Sequence, residues 1–75
     1  MTLDDAIKAI SDNQNLIIKR LKISQNEVDS WIKNPVLLLD LGIITIINMC
    51  IVVDIDLIKF LEMLEREFPI EAWNN

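Results

Sequence analysis

The chain has 75 residues, one cysteine and no histidine, and its net charge at neutral pH is −5. This length predicts one domain, 1–75, and a lone cysteine excludes an internal disulfide and favours a reducing, cytoplasmic location. Without histidine, neither a common zinc ligand set nor a Ser-His or Cys-His pair can form. We therefore expect no metal, no cofactor and no enzymatic activity.

The balance of apolar and charged residues is uneven along the chain. Hydrophobic residues make up 52 % of the sequence, which suggests that an oligomer interface or a larger partner covers apolar surface. Residues 16–34 carry a net charge of +2, whereas residues 1–15 and 35–75 carry −2 and −5. A cationic centre with acidic flanks is compatible with a nucleic-acid reader, although chance clustering on a solvated surface explains it equally simply.

Two helices are predicted before residue 22. Thr2 and Asp5 have the spacing of a capping box, and the helix that they begin runs to Ile10. Asn13 is the expected cap of the next helix. The buried face of that helix is predicted to be Leu16, Ile17, Ile18 and Leu21, with Lys19, Arg20 and Lys22 outside.

The strongest local signal lies between residues 24 and 34. Ser24 and Glu27 form a second capping box, and the helix is predicted from Gln25 to Lys33. Asn34 can end a helix in the left-handed conformation, and Pro35 prevents its continuation. The apolar side consists of Val28, Trp31 and Ile32, and the opposite side carries Gln25, Asn26, Asp29, Ser30 and Lys33.

After Pro35 the chain is almost continuously apolar as far as Val53. We expect a helix from about Asp40 to Val52 that is buried nearly all round. A buried strand is the alternative, and interrupting polar residues argue against a membrane span. Asp56 should cap a last helix from Leu57 to Glu67, which Pro69 ends. Its apolar face is Leu57, Phe60, Leu61, Leu64 and Phe68, and Trp73 in the tail could pack on this core or meet a partner.

The predicted fold is all-α, with five short helices around a helix-turn-helix unit at about residues 14–34. The segment from Ile17 to Ser24 resembles the turn region of the lambda-repressor-like helix-turn-helix family, the Cro and XRE-type regulators. Gln25, Val28 and Trp31 match residues frequent in that family's recognition helix, and the resemblance covers roughly 13–61. The ISQN string is also similar to the helix-turn-helix domain of some prophage anti-CRISPR proteins.

Two residues depart from the family pattern. Ile18 stands where a small residue usually lets the two helices approach, which predicts a wider crossing or an altered register. Lys22 stands where glycine usually makes the turn. This predicts either a turn without a positive φ or backbone strain of about 1 kcal/mol or more.

The resemblance implies a sequence-specific DNA-binding transcriptional regulator, such as a phage or mobile-element repressor. Its helix in the major groove would read bases, because amide side chains can pair with adenine. Asp29 would repel phosphate unless it accepts from cytosine or pairs with Lys33. The expected base-reading residues are Gln25, Asn26, Asp29 and Ser30, and the expected phosphate-binding residues are Lys19, Arg20, Lys22 and Lys33.

Such readers usually bind double-stranded DNA as homodimers, because one module makes few contacts. The alternative is a single well-filled monomer core. The excess apolar surface predicts the dimer interface at Leu37, Leu41, Ile44, Ile47, Ile51, Phe60 and Leu64.

A rival hypothesis is an acidic module that binds another protein, such as an antitoxin, a nuclease inhibitor or an anti-CRISPR-like phage inhibitor. The twelve acids outnumber the seven bases, and the C-terminal half holds most of the excess negative charge. Such a surface suits a basic partner or a mimic of DNA.

Overall fold

A computed structural model describes residues 1–69, and this part of the chain folds into helices joined by short turns. The α-helices are α1 (Leu3–Asp12), α2 (Gln14–Leu21), α3 (Gln25–Lys33), α4 (Ile43–Val53) and α5 (Leu57–Glu67), with a 3-10 helix at Pro35–Asp40 between α3 and α4. Residues 1–69 contain no strand, so the all-α prediction is confirmed and the strand alternative for the apolar stretch is wrong. Trp73 lies outside the described residues.

Side-chain caps fix where three of the helices begin. The Thr2 hydroxyl accepts from the Asp5 amide at 3.1 Å and the Asp5 carboxylate accepts from the Thr2 amide at 3.2 Å, which confirms the capping box of α1. Ser24 accepts from the Glu27 amide at 3.2 Å, and Asp56 accepts from the Lys59 amide at 3.0 Å. The predicted bounds of α3 and α5 are therefore confirmed, although only the Ser24 half of the α3 capping box is present.

Two predicted helix boundaries differ from the structure. Asn13 does not cap α2 with its side chain, because its amide donates backward to the Ala9 carbonyl at 2.7 Å. Asn34 has a φ of −137° rather than a left-handed conformation, which fits the restriction that Pro35 imposes on it. Pro35 occupies the first turn of the 3-10 helix, where its missing N–H is not needed, so helical structure resumes at once.

The turn between α2 and α3 is made by a lysine in the left-handed region. Lys22 has a φ of 55°, and the amides of Lys22 and Ile23 both donate to the Ile18 carbonyl. Asp54 ends α4 in the same way with a φ of 57°. The sequence left two possibilities at Lys22, a turn without a positive φ or a strained backbone. The structure has the strained backbone, at a cost of about 1 kcal/mol for a residue with a Cβ.

The core combines residues from every helix. α2 packs on α4, α3 packs on the 3-10 helix, and α1 contacts both α3 and α5. Ile18 is half-buried and packs against this core. The buried residues are Ala6, Ile10, Ile17, Val28, Trp31, Leu38, Ile46, Met49, Cys50, Val53, Phe60, Met63 and Leu64.

Two burial predictions are wrong. Leu16 is 57 % exposed, because Ile17 rather than Leu16 lies at the centre of the buried face of α2. α4 is not buried all round, since Ile43, Ile44 and Ile51 are 54, 67 and 58 % exposed. α4 begins at Ile43, three residues after its expected start at about Asp40, because residues 35–40 form the separate 3-10 helix. In residues 1–69, no other layer of the chain covers the outer side of α4.

Candidate nucleic-acid interface

The candidate interface is built on α2 and α3, which are joined by three residues, 22–24, and contact each other. Val28 is completely buried and Trp31 is 5 % exposed, so the apolar side of α3 faces the core as predicted. The opposite side of α3 is at the surface. Gln25 and Asn26 are exposed there, and Asp29 and Ser30 are half-buried.

The Gln25 amide is held by two hydrogen bonds. Its nitrogen Nε2 donates to Asp29 Oδ1 at 2.9 Å and also to Gln14 Oε1 on the first residue of α2. A primary amide has two N–H groups, so both donors of Gln25 are used inside the protein. In this conformation the side chain offers a partner its carbonyl oxygen, an acceptor, rather than the donor and acceptor pair that the adenine edge requires.

Asp29 and Ser30 are bonded within α3. Within residues 1–69 the Asp29 carboxylate accepts from Gln25 and not from Lys33, which was one of the two partners considered for it. The Ser30 hydroxyl donates to the Glu27 carbonyl at 2.6 Å, which leaves its oxygen lone pairs as the part that can meet a partner. Both residues therefore help to shape the surface of α3 from a half-buried position.

Asn26 is the most accessible amide of the group. It is exposed at the second position of α3, and its side chain makes no hydrogen bond within residues 1–69. It therefore retains both the donor and the acceptor that bidentate pairing with adenine needs.

The side chains expected to bind phosphate are all exposed around α2 and α3: Lys19, Arg20, Lys22 and Lys33. Lys22 lies in the turn before α3 and Lys33 lies in its last turn, so each end of α3 has a cation. Arg20 donates through Nε to Asn48 Oδ1 at 3.2 Å, and this hydrogen bond links α2 to α4. The terminal nitrogens of the Arg20 guanidinium remain as donors.

The roles of Gln14 and Asn48 are not apparent from the sequence. Gln14 lies eleven residues before Gln25 and Asn48 lies 28 residues after Arg20. Helical periodicity relates neighbours three or four residues apart, and neither pair has that spacing. The only available signal was that Gln14 and Gln25 each begin a helix of the predicted helix-turn-helix unit.

The expected dimer residues fall into three groups. Ile44 and Ile51 are well exposed, whereas Leu37, Leu41 and Ile47 are half-buried. Phe60 and Leu64 are 0 and 3 % exposed and belong to the core of the chain itself, so they cannot form an interface without unfolding α5. That part of the interface prediction is wrong.

Within residues 1–69, no group of three or more acidic or cysteine side chains is arranged to hold a metal ion, and no helix has the length and apolarity needed to cross a membrane. Comparisons of the chain with protein-family models, with curated proteins and with solved structures found no match. The arguments about function therefore rest on the residues and geometry of this chain.

Proposed function

We propose that this protein is a small sequence-specific DNA-binding regulator of the phage or mobile-element type, with α3 as its recognition helix in a lambda-repressor-like arrangement. One observation carries the proposal. Gln25, at the exposed start of α3, is held by Gln14 and Asp29, and cations stand at both ends of the same helix. An amide held in one position loses little conformational freedom when it meets a base.

Base reading would come from the exposed amides. The Gln25 oxygen can accept from the exocyclic amino group of adenine or cytosine in the major groove. Asn26 retains both donor and acceptor and can pair bidentately with adenine. Ser30 supplies an acceptor further along α3, and this favours a base that presents an amino group over one that presents a carbonyl or methyl group. The Asp29 carboxylate holds the Gln25 amide and repels phosphate.

Phosphate contacts would come from Lys19, Arg20, Lys22 and Lys33. Such contacts place the protein on the duplex but do not read its sequence. They matter more here than in a basic protein, because the whole chain carries −5 and is repelled by DNA at long range. Cations around α2 and α3 must offset that repulsion, so affinity should depend steeply on salt.

The test is selection of a binding site from random duplexes, followed by a titration of the selected duplex at several salt concentrations. Lys33→Gln should reduce the salt slope by about 1 if Lys33 meets a phosphate. Lys59→Gln is the matched control, because Lys59 is exposed on α5 and the substitution removes the same charge. Equal effects of the two variants would indicate only a general charge effect and would contradict the assignment of α3.

A second function is favoured by the acidic groups of the surface. Asp29 places a carboxylate on the same side of α3 as Gln25, and Glu62, Glu65 and Glu67 are exposed on α5. These charges would suit an anti-CRISPR-like or other phage inhibitor, or an antitoxin, that binds a basic protein partner through its acidic C-terminal half. Such a protein would show no DNA affinity at any salt concentration, whereas a DNA reader loses a measurable affinity as salt rises.

A further inference from the structure

The outer side of α4 carries an apolar ridge, defined here as Ile44, Ile47 and Ile51. These residues are spaced three and four apart and so share one face of the helix. Leu16 on α2 and Ile43 extend the apolar surface. Of the seven large hydrophobic residues that are exposed within residues 1–69, four lie on or beside this ridge: Leu16, Ile43, Ile44 and Ile51.

The two flanks of the ridge carry opposite charges. On the α2 side, a groove is lined by Leu16, Ile51 and Val52 together with Lys19 and Arg20. We call this the basic flank. On the other side, a groove next to Ile51 includes Asp54 and Asp56, which are exposed at the turn between α4 and α5. We call this the acidic flank. Ile51 borders both grooves.

The polar group nearest to the ridge is already hydrogen-bonded inside the chain. Asn48 donates to the Ile44 carbonyl at 2.9 Å and accepts from Arg20 at 3.2 Å. Covering this side chain would therefore leave both of its polar atoms paired. An interface can bury such a group without the penalty of an unsatisfied donor or acceptor.

We propose that a second copy of this chain covers the ridge, with the two α4 helices side by side and parallel. In such a pair the twofold axis is parallel to the two α4 helices and lies between them. Rotation about this axis brings the α2 side of each copy next to the opposite side of the other copy. The basic flank of each copy then meets the acidic flank of its partner, and Ile51 packs beside the partner's ridge. Because Lys19 and Arg20 face the partner's acids in this dimer, the phosphate contacts of the DNA-bound dimer are left to Lys22 and Lys33 of each copy. A pair with antiparallel α4 helices would instead place like charges together.

This inference deepens the proposed function, which needs a twofold pair to present two recognition helices, but self-association can be measured without DNA. Sedimentation equilibrium of the full chain should give about twice the monomer mass of 8.7 kDa. Ile51→Glu should weaken the dimer at least about 30-fold, because it places a charge at the centre of the interface. Ile58→Glu is the control, since Ile58 is 59 % exposed on α5 and away from the ridge. It should leave the dimer intact.

Charge reversal tests the parallel arrangement. Lys19→Glu cancels the charge of the basic flank, where Arg20 remains, and Asp54→Lys cancels the charge of the acidic flank, where Asp56 remains. Each variant alone should therefore dimerise about three- to tenfold more weakly. A one-to-one mixture of the two should recover the wild-type dissociation constant. In the mixed dimer the two unaltered flanks have opposite charges and meet each other, and the two substituted residues face each other with their charges exchanged. Circular dichroism melting of each variant checks that its fold is intact.

Three results would overturn the proposal: a wild-type chain that stays monomeric at the highest attainable concentration, equal loss of the dimer in the Ile51 and Ile58 variants, or no recovery in the mixture of folded variants. The same measurements, repeated with DNA, test the proposed function separately from the dimer interface. A dimer that binds no DNA would contradict the DNA-binding role and leave this interface standing, whereas DNA binding by a monomer would do the reverse.

Discussion

The amide nitrogen of Gln25 lies 2.9 Å from a carboxylate oxygen of Asp29, one helical turn further along α3. This hydrogen bond has two opposing effects on a DNA reader. It holds the Gln25 amide in place, and it brings a negative charge to the side of α3 that would face the phosphates.

Substitutions at Asp29 separate these two effects. Asp29→Asn removes the charge and keeps an oxygen that can accept from Gln25, whereas Asp29→Ala removes both. We expect both variants to bind DNA about three- to tenfold more tightly at moderate salt, because one repulsive charge is gone. Only Asp29→Ala should alter the preferred base opposite Gln25, as measured by fluorescence anisotropy with single-base variants of the site. Unchanged affinity in both would mean that α3 does not face phosphate.

Substitutions at Trp31 and Gln25 test which side of α3 faces the core and which side faces DNA. Trp31→Ala should lose about 3 to 5 kcal/mol of folding free energy, because the indole is almost fully buried, and this is comparable to the whole stability of so small a domain. Gln25→Ala should change stability by less than about 0.5 kcal/mol and weaken specific binding by roughly 1 to 3 kcal/mol. Urea denaturation and DNA titration measure the two quantities. Equal stability losses would contradict the orientation of α3.

The bounds of α3 and α5 could be predicted because their signals are local. Ser24 and Asp56 sit one residue before the first helical residue, and a proline follows within two residues of each helix end. The expected start of α4 at about Asp40 is wrong, because Asp40 ends the 3-10 helix and α4 begins at Ile43. Apolar residues run through both helices, so the hydrophobic pattern does not show where one ends and the next begins.

The contacts between helices could not be predicted in the same way. The bonds of Gln14 with Gln25 and of Arg20 with Asn48 depend on how α2 lies against its neighbours. The exposure of Ile44 and Ile51 likewise depends on which helices pack against α4, and none within residues 1–69 covers its outer side. Composition indicated excess apolar surface, but Phe60 and Leu64 showed that an apolar residue can equally belong to the core.

The turn before α3 carries strain that a substitution can remove. Lys22→Gly should stabilise the protein by about 0.5 to 1 kcal/mol, because glycine has no Cβ to resist a φ of 55°. The thermal midpoint should rise by roughly 2 to 8 °C in a domain of this size. Lys22→Ala removes the same charge but keeps the Cβ, and should leave the midpoint nearly unchanged. A similar gain in both variants would attribute the effect to charge instead.

Cys50 gives a prediction about pH. Burial raises the pKa of the Cys50 thiol from 9.0 to about 11, and the negative charge of Asp56 adds to the shift. The thiol should therefore remain protonated at neutral pH and react slowly with thiol reagents until the protein unfolds. A folded pKa above the unfolded value means that this contribution to stability is complete below pH 9 and is lost as the pH rises through about 11.

The thiolate absorbance of the native protein measures this titration, with Cys50→Ala as the blank. The alkaline loss of stability should be smaller in Cys50→Ala than in the wild-type protein. A native thiol that titrates near pH 9, or that reacts as fast as the denatured protein does, would show that Cys50 is accessible to water.

Nuclear magnetic resonance can show residue by residue whether the exposed side of α3 meets DNA. The ¹⁵N-labelled protein is titrated with the selected duplex, and the backbone and side-chain amide signals are followed. If α3 is the recognition helix, the largest shifts fall on Gln25 and Asn26, including their side-chain NH₂ groups, with smaller shifts at Lys22 and Lys33. Shifts that are absent at saturating DNA, or that are confined to α5 around Glu62 and Glu65, would contradict it.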